Sequence, residues 1–199
     1  MGELASRGTG HVAPNDSPRI AVLWMIFGSV SFGTMNALVK WVSVEADVWM
    51  VILIRSAVIA FAVAGYAAAR GLSLRANDPW TMFLRCAVGL FAMILYFTAL
   101  SRIPIGQAVT LQYTAPLFVA LLSGTVIREK VSPSVAGLVV FAFVGIVLIV
   151  SPDLRSVEPD ALLALGSGLF AALAYIYVRE LRKTDSASSV VFWFAAFSV

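Results

Sequence analysis

The residues of this chain best suited to chemistry are polar or charged side chains that interrupt long apolar segments. They are Asn36, Lys40, Arg55, Tyr96, Gln112 and Tyr113. Amide, phenol, ammonium and guanidinium groups can bind a solute through hydrogen bonds and charge. We therefore predict that these six residues are substrate-binding residues.

The same sequence offers no set of groups for catalysis. A membrane-face enzyme needs clustered acids and histidines, or a nucleophile with its base. The single histidine, His11, lies in a polar N-terminal stretch, and the single cysteine, Cys86, lies in an apolar run. We predict neither a cofactor nor a metal site, and no enzyme activity.

Gln112 and Tyr113 lie near the middle of a segment, 105–127, that is predicted to form one apolar helix. Pro116 follows them and frees a backbone carbonyl, because proline has no N–H. Polar groups and a broken backbone at mid-membrane depth are typical of transport pathways.

Two faces of this predicted helix carry polar groups, and helical spacing separates them. One face holds Thr110, Tyr113 and Thr114, and the other holds Ala108, Gln112 and Ala115. Only one face can line a cavity, and the other must pack against a helix. The spacing alone does not choose between them, and we expect Pro116 to act as a packing kink.

Composition places these segments in a membrane. The 199 residues are 60% hydrophobic and 13% charged, whereas soluble domains carry about 25% charged residues. The formal net charge of +3 comes from basic residues in short connections, so we predict a lipid bilayer and no nucleic acid as partner. The fold class is an all-α polytopic membrane protein.

Apolar runs define the predicted spans and their connections. We predict helices at 20–42, 48–69, 80–101, 105–127, 133–150 and 161–178, with a seventh apolar segment at 189–199. Residues 1–19 are predicted to be a disordered cytoplasmic tail. The seventh segment has about half of the roughly twenty residues that a span needs, which indicates a fragment or a truncated product.

Basic residues predict the orientation. With a cytoplasmic N-terminus, the inside segments hold Arg7, Arg19, Arg70, Arg75, Arg128, Lys130, Arg179, Arg182 and Lys183. The outside connections hold only Arg102 and Arg155. We predict that the protein lies in the cytoplasmic membrane. The positive-inside rule favours an orientation with the N-terminus in the cytoplasm.

Four basic or amide side chains within the spans leave alternatives open. Arg55 either binds an anionic substrate group, or pairs with a helix-end carbonyl or snorkels outward. Asn36 and Lys40 either line the outer pathway, or Asn36 caps a backbone while Lys40 snorkels. Arg85, near the start of its span, is expected to snorkel back to the interface.

No Asp or Glu lies inside the first six predicted spans. Proton-driven pumps place carboxylates or histidines in the membrane. Exchange or facilitated movement of solute is therefore favoured over proton coupling.

A weak internal repeat relates the first and sixth spans. Gly28-Ser29-Val30-Ser31-Phe32-Gly33 resembles Gly166-Ser167-Gly168-Leu169-Phe170-Ala171. Because the first unit has five spans, an odd number, the second unit would have the opposite orientation. Inverted repeats of this kind are common in transporters and place the site where the halves meet.

An ordered set of residues resembles the drug/metabolite transporter superfamily in its EamA-like branch. The set is Arg55, Tyr96-x-x-Ala99-Leu100-x-x-Ile103-Pro104-x-x-x-Ala108-x-x-Leu111, Pro116-Leu117, Arg128-Glu129-Lys130-Val131, Gly137 and Gly145. The resemblance implies two inverted five-helix repeats, ten helices in all, around a central cavity. Residues 20–150 would be the first repeat, and 161–199 the truncated start of the second, leaving about six and a half helices here.

The function implied by this resemblance is transport of a small metabolite or drug-like solute by alternating access. The partners would be the small-molecule substrate and the lipid bilayer, with a homodimer expected if two copies complete one cavity. A non-transporting assembly subunit is an alternative that the short length supports. A membrane-embedded enzyme is less well supported because its catalytic groups are missing.

Overall fold

The computed structural model describes residues 18–122, 133–150 and 158–199, and within these ranges the chain is helical, with no strand. The helices are α1 (Pro18–Val42), α2 (Val48–Arg70), α3 (Pro79–Arg102), α4 (Ile105–Gln112), α5 (Ala115–Leu122), α6 (Pro133–Val150), α7 (Pro159–Leu181) and α8 (Ala187–Phe197). Residues 1–17 of the predicted tail, the Arg128–Val131 motif and most of the 151–160 connection lie outside the described residues. The last two residues of the predicted tail belong to α1, which begins at Pro18.

Helix lengths and composition confirm a polytopic membrane protein. Five stretches of the described chain are long and apolar enough to cross a bilayer: Val22–Val42, Val48–Arg70, Pro79–Arg102, Ile105–Leu122 and Pro159–Leu181. The fourth combines α4 and α5, and α6 is a further uncharged helix of 18 residues. The lengths of the apolar runs predicted these helices well, because the thickness of the bilayer sets the number of residues that a span needs.

The chain divides into two compact units, residues 1–35 and 36–199. In the described part of the first unit, the chain is the N-terminal portion of α1. All the packing that positions the candidate site lies within the second unit.

A stripe of small residues on α7 forms the centre of the second unit. Its buried members are Ala161, Ala164, Ser167, Gly168, Ala171, Ala172 and Ala174. Short side chains let helix backbones approach closely, which is how membrane helices associate without a strong hydrophobic driving force between them. Through this stripe α7 packs against α3, α4 and α5.

The span predicted at 105–127 is present over Ile105–Leu122, and residues 123–127 lie outside the described ranges. The span is interrupted just before Pro116, where a kink was expected. α4 ends at Gln112, and α5 begins at Ala115 after a turn at Tyr113 and Thr114. Pro116 explains the interruption: it cannot donate to the carbonyl of Gln112, and its ring crowds that carbonyl. Thr114 adds to it, since its hydroxyl donates to the carbonyl of Leu111 at 2.6 Å.

Contacts between helix ends agree with an alternating up-and-down path. Asn77, in the α2–α3 connection, donates its backbone N–H to Asp185 in the α7–α8 connection at 2.8 Å. At other helix ends, Arg102 forms a salt bridge of 3.0 Å with Asp160. The predicted orientation places the first pair of connections together on the inside and the second pair together on the outside.

Candidate functional site

The interruption between α4 and α5 brings backbone and side-chain oxygens against α7. The Ser167 hydroxyl donates to the carbonyl of Ala164 at 2.6 Å and also makes a short hydrogen-bonding contact with Gln112 Oε1. A hydroxyl has one proton, so rotation of the Gln112 amide would let its N–H donate to the Ser167 oxygen instead. Either arrangement joins α4 to α7 by a polar contact in the middle of an apolar bundle.

Gly168 allows this close approach. A Cβ at position 168 would lie 2.8 Å from Thr114 Oγ1, 3.1 Å from the carbonyl oxygen of Leu111 and 3.5 Å from that of Gln112. Glycine is the residue that lets one backbone approach another this closely. The polar groups of the interruption therefore lie directly on the backbone of α7.

Tyr113, in the turn between α4 and α5, is 61% exposed. By contrast, Thr114 is buried and faces α7 together with Gln112. The predicted grouping of Tyr113 with Thr114 on one face, opposite Gln112, is wrong, because that grouping assumed a continuous helix. The turn rotates Thr114 onto the face that Gln112 occupies.

Asn36 and Tyr96 form a buried polar pair. The Tyr96 hydroxyl donates to Asn36 Oδ1 at 2.8 Å, and the two residues are only 1% and 4% exposed. Asn36 Nδ2 is buried, and no group in the described part of the chain forms a hydrogen bond with it. Buried amides usually find partners for both ends, so this N–H₂ group is a donor available to a bound solute.

Lys40 caps the C-terminal end of α3. Its ammonium group donates to the carbonyl of Ser101 at 3.0 Å and to that of Ile103 at 2.9 Å. A cation at a helix C-terminus satisfies the last carbonyls and interacts favourably with the helix dipole. These contacts tie the end of α1 to α3.

Arg55 reaches from α2 to the apolar surface of α3. Its Nη1 lies 3.0 Å from the Met93 sulfur, and its guanidinium carbon lies 5.9 Å from the centre of the Phe97 ring. Pairing with a helix-end carbonyl, one of the expected alternatives, is not what the structure shows. Contacts with sulfur and an aromatic face leave most of the guanidinium hydrogen-bonding capacity unused.

The predicted site residues thus fall into two groups. Asn36, Lys40 and Arg55 all contact α3, which also carries Tyr96. Gln112 contacts α7 instead. Tyr113 follows Gln112 in the chain, and it is close enough to Tyr96 for the two side chains to interact electrostatically.

Several residues of this region were not among the predicted site residues. Ser167 and Gly168 were considered only as members of a weak repeat, and Thr114 only as part of a helical face. Arg85 was expected to snorkel, which is wrong: its guanidinium carbon lies 4.1 Å from the centre of the Phe194 ring, between α3 and α8. The available signal was Gly89, one helical turn after Arg85, which leaves room for a large side chain.

Comparison with known proteins gives a consistent family. The EamA-like transporter family matches residues 19–151. The pseudopaline exporter CntI of Pseudomonas aeruginosa (strain UCBPP-PA14) is 29% identical over 182 residues, which is 91% of this chain and 64% of that protein. A riboflavin transporter of Vibrio cholerae is 27% identical over 179 residues, covering 87% of this chain and 60% of that protein.

A solved crystal structure supports the same fold. It is 22% identical, has a TM-score of 0.52, and the match covers 83% of this chain and 63% of that one. The chain spans less than two thirds of the length of these curated relatives and of this structure. Because the family match covers most of the sequence, and the helices and their packing agree with it, this chain belongs to the EamA-like transporter family.

Proposed function

We propose that the protein carries a small metabolite or drug-like solute across the cytoplasmic membrane by alternating access, with its N-terminus in the cytoplasm. The observation that carries this proposal is the interrupted helix α4–α5, whose polar groups lie on the backbone of α7. Irregular backbone within a membrane occurs where it is buried in protein or lines a cavity. In transporters such interruptions supply substrate-binding groups near the midplane.

The contact between Gln112 and Ser167 is suited to exchange with a solute. It is a single hydrogen bond between neutral side chains, and such bonds contribute only about 0.5–1.5 kcal/mol net. A solute with a polar group could replace either partner without leaving the other unpaired. We propose Gln112 and Tyr113 as substrate contacts at the interruption, where Tyr113 is exposed.

The second group of predicted residues would bind the solute from α3. Asn36 offers its unpartnered Nδ2, Tyr96 orients that amide, and Arg55 offers its unused guanidinium N–H groups. We retain Lys40 in the proposed site, where its two carbonyl bonds would hold the end of α3 in position. The proposed division into repeats at 20–150 and 161–199 makes α7 the first helix of the second repeat. The site then lies where the two halves meet.

The names of the relatives suggest which solutes to test first, although we propose no more than a small solute as the substrate. The full-length protein should be expressed in cells that lack their own copy, and metabolites inside and outside the cells should be measured by mass spectrometry. We expect at least one solute to change its distribution across the membrane, with riboflavin included as a labelled probe. Gln112→Ala should reduce that change several-fold.

A matched control tests whether the effect is specific to the interruption. Gln107 lies on the same helix, but its amide donates to the Ile149 carbonyl and to Glu158, each at 3.0 Å. Gln107→Ala should leave the distribution unchanged. The proposal fails if no solute is redistributed by the unaltered protein. A new chemical product would instead favour an enzyme, and a stable complex without redistribution would favour an assembly subunit.

A further inference from the structure

Arg85 points into the membrane span and not toward its nearer end. It lies roughly 9 Å along α3 from the first helical residue, Pro79, at about 1.5 Å per residue. A Cβ placed on Gly89 would lie 2.7 Å from Arg85 Nη1. The guanidinium therefore covers the next helical turn, which is deeper in the span. A snorkelling side chain would instead point back toward Pro79 and the membrane surface.

The neighbours of Arg85 form a built position for a cation. The glycine at position 89 leaves the space that the guanidinium occupies, and the Phe194 ring covers the guanidinium at 4.1 Å. Arg85 Nε and Nη1 are buried, and they have no hydrogen-bond partner among the residues that the structure describes. The aromatic face of Phe194 attracts the positive charge. It does not accept strong hydrogen bonds from these N–H groups, whereas a carboxylate or phosphate oxygen would.

No carboxylate of the described chain neutralises Arg85. The two acids within α7 lie in its terminal turns, where Asp160 pairs with Arg102 and Glu180 with Lys183. Among the residues that the structure describes, Arg85 forms no salt bridge. A buried cation without a partner is unfavourable, so its presence needs a compensating group from outside this part of the chain.

A second guanidinium contacts the same helix further along its axis. Arg55 Nη1 contacts Met93, which is one turn beyond Gly89, or about 6 Å along the axis. An anion bound at Arg85 would therefore have a second positive charge on the same side of the bundle, which would add to its attraction.

We propose that Arg85 binds an anionic group, a carboxylate or a phosphate, of the solute that this protein carries. This inference rests on the transport function proposed above and narrows its substrate class to anions. The planar guanidinium can donate two parallel hydrogen bonds to such a group. Phe194 and Gly89 hold the guanidinium in position, and Arg55 supplies a second positive charge further along α3.

The test measures binding separately from transport. The full-length protein, purified in a neutral detergent, is unfolded thermally with citrate, with inorganic phosphate, or with chloride at the same ionic strength. We expect citrate or phosphate to raise the melting temperature above that in chloride. Arg85→Gln should abolish this difference, and Arg85→Lys should keep part of it.

Two further variants keep the test decisive if Arg85→Gln folds poorly. Arg102→Gln removes an arginine of the same helix that is exposed and paired with Asp160, and it should keep the full anion effect. Gly89→Ala leaves Arg85 in place but occupies its space, and it should weaken the effect. Equal anion effects in the unaltered protein, Arg85→Gln and Gly89→Ala would overturn the assignment.

The remaining outcomes separate this inference from the proposed function and from lipid binding. An Arg85-dependent anion effect in a protein that redistributes no solute would overturn transport and support an anion site. Normal redistribution of a solute by Arg85→Gln would overturn the site and support transport. A shift that depends on Arg85 with phosphatidylglycerol in the micelle, but not with citrate or phosphate, would identify a lipid headgroup and overturn the solute assignment.

Discussion

Replacing Gly168 with alanine tests the close contact between α7 and the interruption of α4–α5. The added Cβ would lie 2.8 Å from Thr114 Oγ1 and 3.1 Å from the carbonyl oxygen of Leu111. Neither neighbour can move freely. The carbonyl is backbone, and the Thr114 hydroxyl is held by its 2.6 Å bond to that same carbonyl.

Gly166→Ala is the matched control for this change. It adds a methyl group to the same helix two residues away, where the nearest neighbour is Leu95 Cδ1 at an ordinary 3.7 Å. Both variants gain the same helix propensity, up to about 1 kcal/mol for glycine to alanine. Forcing a methyl group into a packed site costs about 1–3 kcal/mol. We therefore expect Gly168→Ala to be about 1–3 kcal/mol less stable than Gly166→Ala.

The assay is thermal or denaturant unfolding of the full-length protein in detergent, with both variants measured under the same conditions. Adding Thr114→Ala to Gly168→Ala removes the nearer contact but not the backbone carbonyl, so it should restore part of the lost stability. Equal stability of Gly168→Ala and Gly166→Ala would show that α7 does not approach the interruption as closely as described.

Two other predictions concern stability alone. Tyr96→Phe removes the hydroxyl that donates to buried Asn36 Oδ1, and unfolding should show a loss of about 1–2 kcal/mol; no loss would contradict the pairing. Thr81 donates to the Asp78 carboxylate and lowers its pKa below the ordinary value. Because the folded state then binds the proton less tightly, the stability that Asp78 adds is complete above about pH 4 and is lost as pH falls further. The stability difference between the unaltered protein and Asp78→Asn should therefore shrink in acid, and a difference that does not depend on pH would contradict this.

Helix positions could be predicted from the sequence because the thickness of the bilayer determines how long an apolar run must be to cross it. The predicted span 133–150 agrees with Pro133–Val150, and 48–69 agrees with Val48–Arg70 to within a residue. The ends that differ most belong to α7, which extends past its predicted bounds to Pro159 and Leu181. There, charged residues continue the helix beyond the apolar run, which run length alone does not show.

The site was less predictable because side-chain direction depends on packing. The interruption at Tyr113 and Thr114 changed which residues share a face, although Pro116 had signalled a defect in the helix. The position of Arg85 near the start of its span predicted that it would snorkel to the membrane surface. Instead, Gly89 and Phe194 leave space for its guanidinium one turn deeper in the span. Phe194 is distant in sequence, so this contact appears only in the fold.

The contacts of the second unit differ in strength in a way that bears on mechanism. α7 and α3 join through many small buried residues, so separating them would cost the whole interface. The polar contacts of Gln112 with Ser167 and of Asn36 with Tyr96 are single hydrogen bonds, each worth about 1 kcal/mol net. A solute that supplies an equivalent partner could replace the Gln112–Ser167 bond, while the Tyr96–Asn36 bond and the α3–α7 packing stay intact. Under the proposed transport function, such modest stabilisation of the bound state is expected, because a solute that binds too tightly is released too slowly to be transported.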